Sequence, residues 1–363
     1  MATPTQLTST HSQATYFIRP VCQADAQGLL ELILRSSGGL SSLQPRLDFL
    51  KDYIASSEAS FAGTKPVEAP HKYLLVMIDP SNDRLIGCTA VKTQIGKESP
   101  FINFDLYGDG ENQVLRASSR FLGATEVGSL FLHPDYRASG LGRYLAKVRY
   151  LLMASEPWRF GETVIAELRG ICGEDGSPLY DHLFEYKLDQ TFLEADAEYF
   201  DRNPDALGDI VPLGDISVPD LPTDVVASLA QPHPSGEAAR RLLQNEGFIF
   251  SGTIDLFDGG PIMAAHSRTI RTILNAKTGS ALPDDSALEG HTTLMCQGDV
   301  AGFKAVVTCG RETAAGLSVP SLAAGFMAAG DIRYWQDMRR TVKAAELQNT
   351  AADTAPTEFR ASA

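Results

Sequence analysis

The segment that most restricts the fold is Glu126–Arg143, EVGSLFLHPDYRASGLGR. Its apolar run Ser129-Leu130-Phe131-Leu132 reads as a buried strand. His133-Pro134-Asp135-Tyr136-Arg137 ends that strand, and Ala138-Ser139-Gly140-Leu141-Gly142 opens a helix. Leu141, Tyr144, Leu145, Val148, Leu151 and Leu152 then recur on one helical face. A helix start leaves its first backbone N–H groups unpaired and partially positive, so it attracts anions. Gly140 and Gly142 remove the Cβ atoms that would keep a pyrophosphate from those amides. Arg137 and Arg143 add a cation at either end. The competing account is a strand-to-helix turn with incidental glycines. The strand before, the helix after and an Arg three residues ahead of the first glycine favour the anion site. No Gly-Lys-Ser/Thr follows, which excludes a Walker A loop, and a third glycine is missing for a dinucleotide fingerprint.

Around this segment the pattern alternates between strand and helix. Strands are expected at Tyr16–Pro20, in a hairpin of Tyr73–Ile78 with Leu85–Val91, at Glu126–Leu132, at Thr163–Leu168 and at Phe248–Asp255. Helices are expected at Asp25–Arg35, 46–58, Gly140–Ser155 and Ser235–Asn245. Residues 94–120 read as a loop or insertion, and the Asp/Pro-rich stretch 201–224 as a connector. Lys304–Thr308 is strand-like, and Asp331–Leu347 is helix-like through Ile332, Trp335, Met338 and Val342. The order implies an α/β (α+β) architecture with a mixed sheet and flanking helices. At about 150 residues per domain, 363 residues make two or three domains. The division expected is a disordered tail at 1–14, a main domain at 15–261, a smaller C-terminal domain at 262–347 and a disordered tail at 348–363.

Thirty-one Lys and Arg face forty-five Asp and Glu, a net charge of −14. Such a surface repels nucleic acid and anionic membranes and draws in small cations. No run approaches about 18 apolar residues, so no membrane span is expected. The first fifteen residues are polar, without the apolar stretch of a secretory signal or the cations of a mitochondrial one. Cys22, Cys88, Cys172, Cys296 and Cys309 are scattered and odd in number, which points to no disulfide framework, no metal site and a reducing cytoplasm.

The R-x-x-G-x-G arrangement after a hydrophobic strand resembles the GCN5-related N-acetyltransferase fold, where it holds the pyrophosphate of an acyl-coenzyme A. More specifically, the chain is similar to the arginine N-succinyltransferases, including the arginine/ornithine succinyltransferase subunits. The pieces that carry this are FIRPVCQAD near the start, SSGGLSSL at 36–43, LIGCTAV at 85–91 and the segment 126–154. VIAELRGICGEDGSPLYDHL at 164–183, FLEAD at 192–196, PHPSGEAARRLLQNEGF at 232–248 and IDLFDGGP at 254–261 complete the set. The resemblance covers roughly residues 16–262. It implies transfer of succinyl from succinyl-coenzyme A, a cosubstrate rather than a resident cofactor, to the α-amino group of L-arginine. It also implies small-molecule substrates and a homo- or hetero-oligomer, a coenzyme contact at Leu130 and a proton-donor histidine at His233. Where the family usually reads G-Q-V-H-P, this chain has Ala230-Gln231-Pro232-His233-Pro234. An acyltransferase of the same fold with another donor or acceptor, or a non-catalytic coenzyme-binding subunit, are the alternatives.

The coenzyme site is therefore expected at Leu130, Phe131, Leu132, Arg137, Ala138, Ser139, Gly140, Leu141, Gly142 and Arg143, and His233 is the catalytic candidate. Its ring, with an ordinary pKa near 6.5, can give or take a proton; a surface histidine between two prolines is the bland account. His133 reads as a strand-end residue. Glu126 and Glu167 either act as base through water, hold the substrate's cations, or line a solvated strand face. Arg169 either pairs with a carboxylate of the substrates or forms an internal ion pair with Glu167 or Glu174. Ser41, in the Gly-rich stretch 36–43, is a candidate for the acceptor site, with a flexible linker as the rival. Asp255, with Asp258, either binds a guanidinium or shapes a turn. Cys88 and Cys172 lack a partner that would make either a nucleophile.

Overall fold

Strands β2 (Lys72–Asp79) and β3 (Arg84–Lys92) are buried on both faces, because helices cover each side of the sheet they begin. On one face Leu74, Val76, Ile78, Cys88 and Ala90 pack against Leu29, Leu32 and Ile33 of α1 (Ala26–Ile33) and Leu50, Tyr53 and Ile54 of α2 (Leu47–Phe61). On the other, Tyr73, Leu75, Met77, Ile86 and Val91 pack against the stripe of α3 (Leu141–Ser155). Gly87 lets α3 come this close: a Cβ there would lie 2.7 Å from a Leu145 methyl and 3.0 Å from the Phe131 carbonyl oxygen. The computed structural model describes residues 15–36, 40, 42–98, 101–173, 176–196, 210–212, 214–286, 289–327 and 330–343, so both expected tails lie outside the described residues.

The sheet runs on from this centre in both directions. β1 (Tyr16–Pro20) pairs antiparallel with β2, and β3 pairs antiparallel with β6 (Thr125–Leu132). β6 pairs parallel with β7 (Thr163–Glu167), which pairs antiparallel with β10 (Pro261–His266), and β10 with β9 (Ile249–Ile254). Beyond β9 lie β4 (Asn103–Tyr107), β5 (Val114–Ser118) and the two-residue β8 (Ile216–Ser217). The first two fall in the stretch read as a loop. Phe104 and Leu115 are fully buried there, and this short alternation is completed by pairing with β9 rather than announced by local composition. The connector 201–224 also carries, among its described residues, β8 and the start of a helix, Thr223–Ser228.

The C-terminal strands β11 (Lys277–Pro283), β12 (Glu289–Gln297), β13 (Lys304–Thr313), β14 (Gly316–Val319) and β15 (Asp331–Lys343) form a smaller sheet region. It joins the main sheet through β1–β13, and Leu294, Cys296, Val300, Phe303, Ala305 and Val307 share one core with α3. Residue 262, where a boundary was expected, lies inside β10, paired on both sides with main-sheet strands. β15 corrects the helix expected at Asp331–Leu347. Ile332 and Tyr334 alternate into one core while Trp335 turns toward Tyr144 and Lys147 of α3, and pairing with β11 and β12 overrides the weak helical spacing.

The shared core yields a prediction. A chain ending at Ala276 exposes the outer edge of β1 and removes Leu294, Cys296, Val300, Phe303, Ala305 and Val307 from the core against α3. It is expected to lose cooperative unfolding when followed by circular dichroism in urea. A soluble truncation with a sharp transition would show instead that the main region stands alone.

Candidate active site

The parallel pair β6–β7 keeps register at only two positions, Thr125 opposite Val164 and Glu126 opposite Ile165. Past them, β6 pairs only with β3, and Ala166 and Glu167 of β7 pair only with β10. Backbone groups that a parallel ladder would consume therefore face a wedge-shaped gap between the strands. A bulge re-aims the β6 side of this gap. Cys88 opposes Phe131 and Ala90 opposes Gly128, so Ser129 and Leu130 together face the single residue Thr89, with Ser129 at φ 50°. Ser42, from the Gly-rich stretch after α1, meets Ser129 Oγ at 2.8 Å and brings that stretch to the gap. Ser41 itself lies outside the described residues.

At the end of β6 the chain turns as the sequence implies. Phe131 and Leu132 are buried on opposite faces, Leu130 is partly buried, and Pro134–Ser139 form a 3₁₀ turn that contains Arg137 and Ala138. Gly140 has φ 77°, a left-handed conformation that favours glycine, and Leu141 and Gly142 begin α3 behind it. Ser139 Oγ accepts the Leu141 N–H at 3.3 Å. Arg137 lies 5.3 Å from the Phe131 ring centre and donates to the Leu132 carbonyl. Arg143 leans over Gly140 and pairs with Asp337 of β15 at 2.7 Å. This link to the C-terminal region was invisible from spacing. His133 is buried, takes the Asp135 N–H on Nδ1 and meets Arg84 at 2.8 Å through Nε2. Burial, then Arg84, lowers its pKa, and its role is to end the strand.

Across the gap stands a wall of carboxylates on the face covered by α1 and α2. Lys92 of β3 lies opposite Glu126 of β6, and its Nζ is 3.1 Å from both Glu126 oxygens. Glu167 is two residues beyond the partner of Glu126, on the same face. Its pKa is well above the usual carboxylate range; burial is the main cause, then Glu126 and Asp255, with Lys92 opposing them. Arg169 does not pair as expected with Glu167. It donates to Asp196 at 2.7 Å and lies 3.6 Å from Asp258, and Glu174 is outside the described residues. Burial alone would lower the Arg169 pKa; Asp196 and then Asp258 reverse this and hold the guanidinium charged. Cys172 Sγ contacts Arg169 Nε at 3.3 Å, and burial raises its thiol pKa. Burial likewise pushes the Cys88 thiol up to about 12, so neither cysteine is a ready nucleophile.

Asp255 and Asp258 shape the β9–β10 turn. Asp255 Oδ1 accepts the N–H groups of Phe257 and Asp258 at 2.8 and 2.9 Å, and Asp258 Oδ1 accepts that of Gly260 at 2.8 Å. This turn interlocks with the strand end that carries Arg169. A Cβ on Gly170 would stand 2.1 Å from the Asp258 carbonyl oxygen, and one on Gly260 2.0 Å from that of Leu168. The A-E-x-R-G and D-x-F-D-G-G-P pieces are thus two halves of one contact. His233 belongs to the same assembly: its N–H donates to the Arg169 carbonyl at 2.7 Å, and the Ala230 N–H to that of Gly259 at 2.9 Å. Ala230 has φ 57° at the position where the resembled family carries glycine, so its Cβ is held in a strained conformation. His233 Nδ1 accepts the Ser235 N–H at 3.2 Å and lies 2.7 Å from Ser235 Oγ. His133 and His266 cap their turns the same way, so the cap is a structural habit; what sets His233 apart is its tie to Arg169.

Sequence reasoning missed Lys92, Asp196 and Asp337. Each became visible only when pairing between distant strands or packing brought it to its partner. The glycine contact makes a prediction: Gly260→Ala should destabilise the protein by about 3 kcal/mol, since backbone rather than a flexible side chain must move. Gly173→Ala, with open space around it, should stay within about 0.5 kcal/mol. Urea denaturation of both variants measures the difference.

Comparisons with known proteins agree with this geometry. A family model described as arginine N-succinyltransferase beta subunit matches residues 16–272. An arginine N-succinyltransferase of Photorhabdus laumondii is 29% identical over 304 residues, 80% of this chain and 88% of that one. One of Enterobacter sp. strain 638 is 30% identical over 72% of this chain and 78% of that one. The structure of arginine/ornithine succinyltransferase subunit AI from Pseudomonas aeruginosa superposes with a TM-score of 0.77, at 26% identity, covering 89% of this chain and 99% of that chain. The mixed sheet with flanking helices is the architecture expected from the GCN5-related acyltransferase resemblance. With the gap, the glycine turn and the carboxylate wall in place, the chain belongs to the arginine N-succinyltransferase family.

Proposed function

We propose that this chain transfers the succinyl group of succinyl-coenzyme A to the α-amino group of L-arginine by direct attack of the amine. The observation that carries the reading is the convergence of His233, Arg169, Glu167 and the Asp255–Gly260 turn beside the gap between β6 and β7. The residues present fit the coenzyme: the left-handed Gly140 bares the first amides of α3, and Arg137 and Arg143 flank them. When bound there, the coenzyme supplies the activated thioester. Leu130, at the bulge, lies on the path from the turn to the carboxylate wall.

The acceptor is cationic at two places, its ammonium and its guanidinium. With Glu126 offset by Lys92, the carboxyl groups of Glu167, Asp196, Asp255 and Asp258 gather around the single cation Arg169, an acidic surrounding suited to receive it. An ammonium has no lone pair, so a base must first remove a proton. Glu167 suits this role, because its raised affinity for a proton brings a carboxyl closer to the working range of a base. The freed nitrogen attacks the thioester carbonyl, the C–S bond breaks, and the sulfur leaves as a thiolate that needs a proton. His233 is poised to give it. The ring gives that proton as the imidazolium: its Nδ1–H is held by Ser235 Oγ at 2.7 Å, the Nε2–H goes to the thiolate, and a neutral ring is left. The reading carries with it the expectation of a homo- or hetero-oligomer working in a reducing cytoplasm.

Two measurements test this. Free thiol should be released fastest from succinyl-coenzyme A with arginine, ahead of acetyl-coenzyme A or of ornithine and lysine as acceptors. Equal rates with acetyl-coenzyme A would favour a different acyl donor, and no release with any pair a non-catalytic subunit. His233→Asn keeps an acceptor for the Ser235 N–H but no transferable proton. It should leave thermal stability close to the parent and lower turnover by about two to four orders of magnitude; normal turnover would remove His233 from the reaction.

A further inference from the structure

Two carboxylates on neighbouring strands, one of them asked to exchange a proton, present a difficulty of assignment. Glu126 and Glu167 share one face across the last paired positions of β6 and β7, and like charges this close do not ionise independently. Something must decide which of them holds its charge permanently and which is free to change.

We propose that Lys92 is a positioning residue for the transfer: by closing an ion pair on Glu126 it keeps that carboxylate charged and occupied, and leaves Glu167 as the carboxyl that takes the acceptor's proton. This deepens, and rests on, the reading given above. The geometry is specific. Lys92 sits directly opposite Glu126 in the β3–β6 ladder, and its Nζ is 3.1 Å from each oxygen, a symmetric contact that offsets the charge of Glu126. Glu126 is 7% exposed, so its charge has little water to fall back on. Burial alone would lower the Lys92 pKa, but Glu126 and Tyr53 reverse this, so the ammonium stays charged. The other groups that face the pair and Glu167 are Tyr53 from α2, Arg169 beyond β7, and Asp255 and Asp258 from the β9–β10 turn. Burial, then Asp255, raises Asp258 as well, while Arg169 opposes this. Arg169 is already taken by Asp196 and Asp258, so among these groups Lys92 is the cation given to the Glu126–Glu167 side.

The proposal implies a charge cycle with a distinctive sign pattern. Lys92→Met leaves Glu126 unpaired beside Glu167, and Glu167 should titrate higher. Glu126→Gln leaves Lys92 unpaired beside Glu167, and Glu167 should titrate lower. The double variant removes a neutral pair and should return Glu167 close to its starting value, as should Lys92→Arg. Each single shift should be about one pH unit or more. The titration is followed by NMR of 13C-carboxyl-labelled glutamate in the full chain, with Glu167→Gln to assign the signal. The acid limb of kcat/KM for succinyl-coenzyme A and arginine is measured on the same variants and should move with it. Opposite shifts in the two single variants support the proposal. Shifts in the same direction, or none, overturn it, whether or not the single variants are less stable, and the double variant guards against failure to fold. Because the NMR titration needs no turnover, a protein that shows the cycle but transfers no acyl group would refute the proposed function and leave the assignment of Lys92 standing.

Discussion

The structure turns on a parallel ladder that is not allowed to finish. β6 and β7 hold register for two residue pairs and then part, and every feature of the site sits on one lip of that opening or the other. Parallel strands buried on both faces ordinarily zip along their length, since each unmade bond leaves a buried polar group. Here each strand is drawn off by a stronger commitment. β6 follows β3, with a bulge at Ser129–Leu130, while β7 follows β10 through five antiparallel pairs from His266 to Ile262. The wedge is therefore a product of competing pairings, and it stays open because both competitors lie in the centre of the sheet.

The far lip needs its own scaffold, because Arg169 and His233 lie past the end of β7 where no ladder holds them. A second core supplies it. Phe104, Leu179, Tyr180, Phe184, Phe192, Leu229, Ile254, Leu256 and Phe257 pack together on elements drawn from more than 150 residues of chain. The Gly170–Gly260 contact then locks the strand end to the turn at distances no side chain permits. Strain at Ala230 is tolerated because the backbone on both sides is tied down, to Gly259 by its own N–H and to Arg169 through that of His233. A loose loop would relax such a residue out of the left-handed region.

Much of this was readable in the chain, and the line between what was and was not is physical. β1, the β2–β3 hairpin, α3 and the glycine turn announce themselves because their signals are local: apolar period, turn residues, a left-handed glycine. The interlocking motifs were visible as unusual strings, but not as partners. β4, β5 and β15 were missed because each is specified by a distant neighbour; Ile332 and Tyr334 satisfy a strand only once β11 and β12 are beside them. Site chemistry divides in the same way. Glu126, Glu167, Arg169, Asp255 and His233 could be singled out by type and motif. Their ion pairs could not, since Lys92, Asp196 and Asp337 lie 34, 27 and 194 residues from the groups they hold.

The distribution of charge along β6 divides the gap into two fields of opposite sign. Near its start stand the carboxyl groups of Glu126 and, on β7, Glu167; past its end stand Arg137, Arg143 and the amides of α3, so on the proposed reading a cationic acceptor would meet the first field and a polyanionic donor the second. Six residues of strand separate the two ends, about 20 Å at the rise of an extended chain. On the proposed reading, that separation would keep the pyrophosphate from being repelled by the carboxylates and the acceptor from being captured by the wrong anion. It would also set a requirement on the donor, which must reach from one field to the other with its reactive carbonyl at the far end. A long flexible arm meets that requirement, and a compact acyl donor such as an acyl phosphate would leave one of the two fields without a partner. The acidity of the whole chain, −14, reinforces the choice by attracting the cation and leaving the local turn to hold the anion.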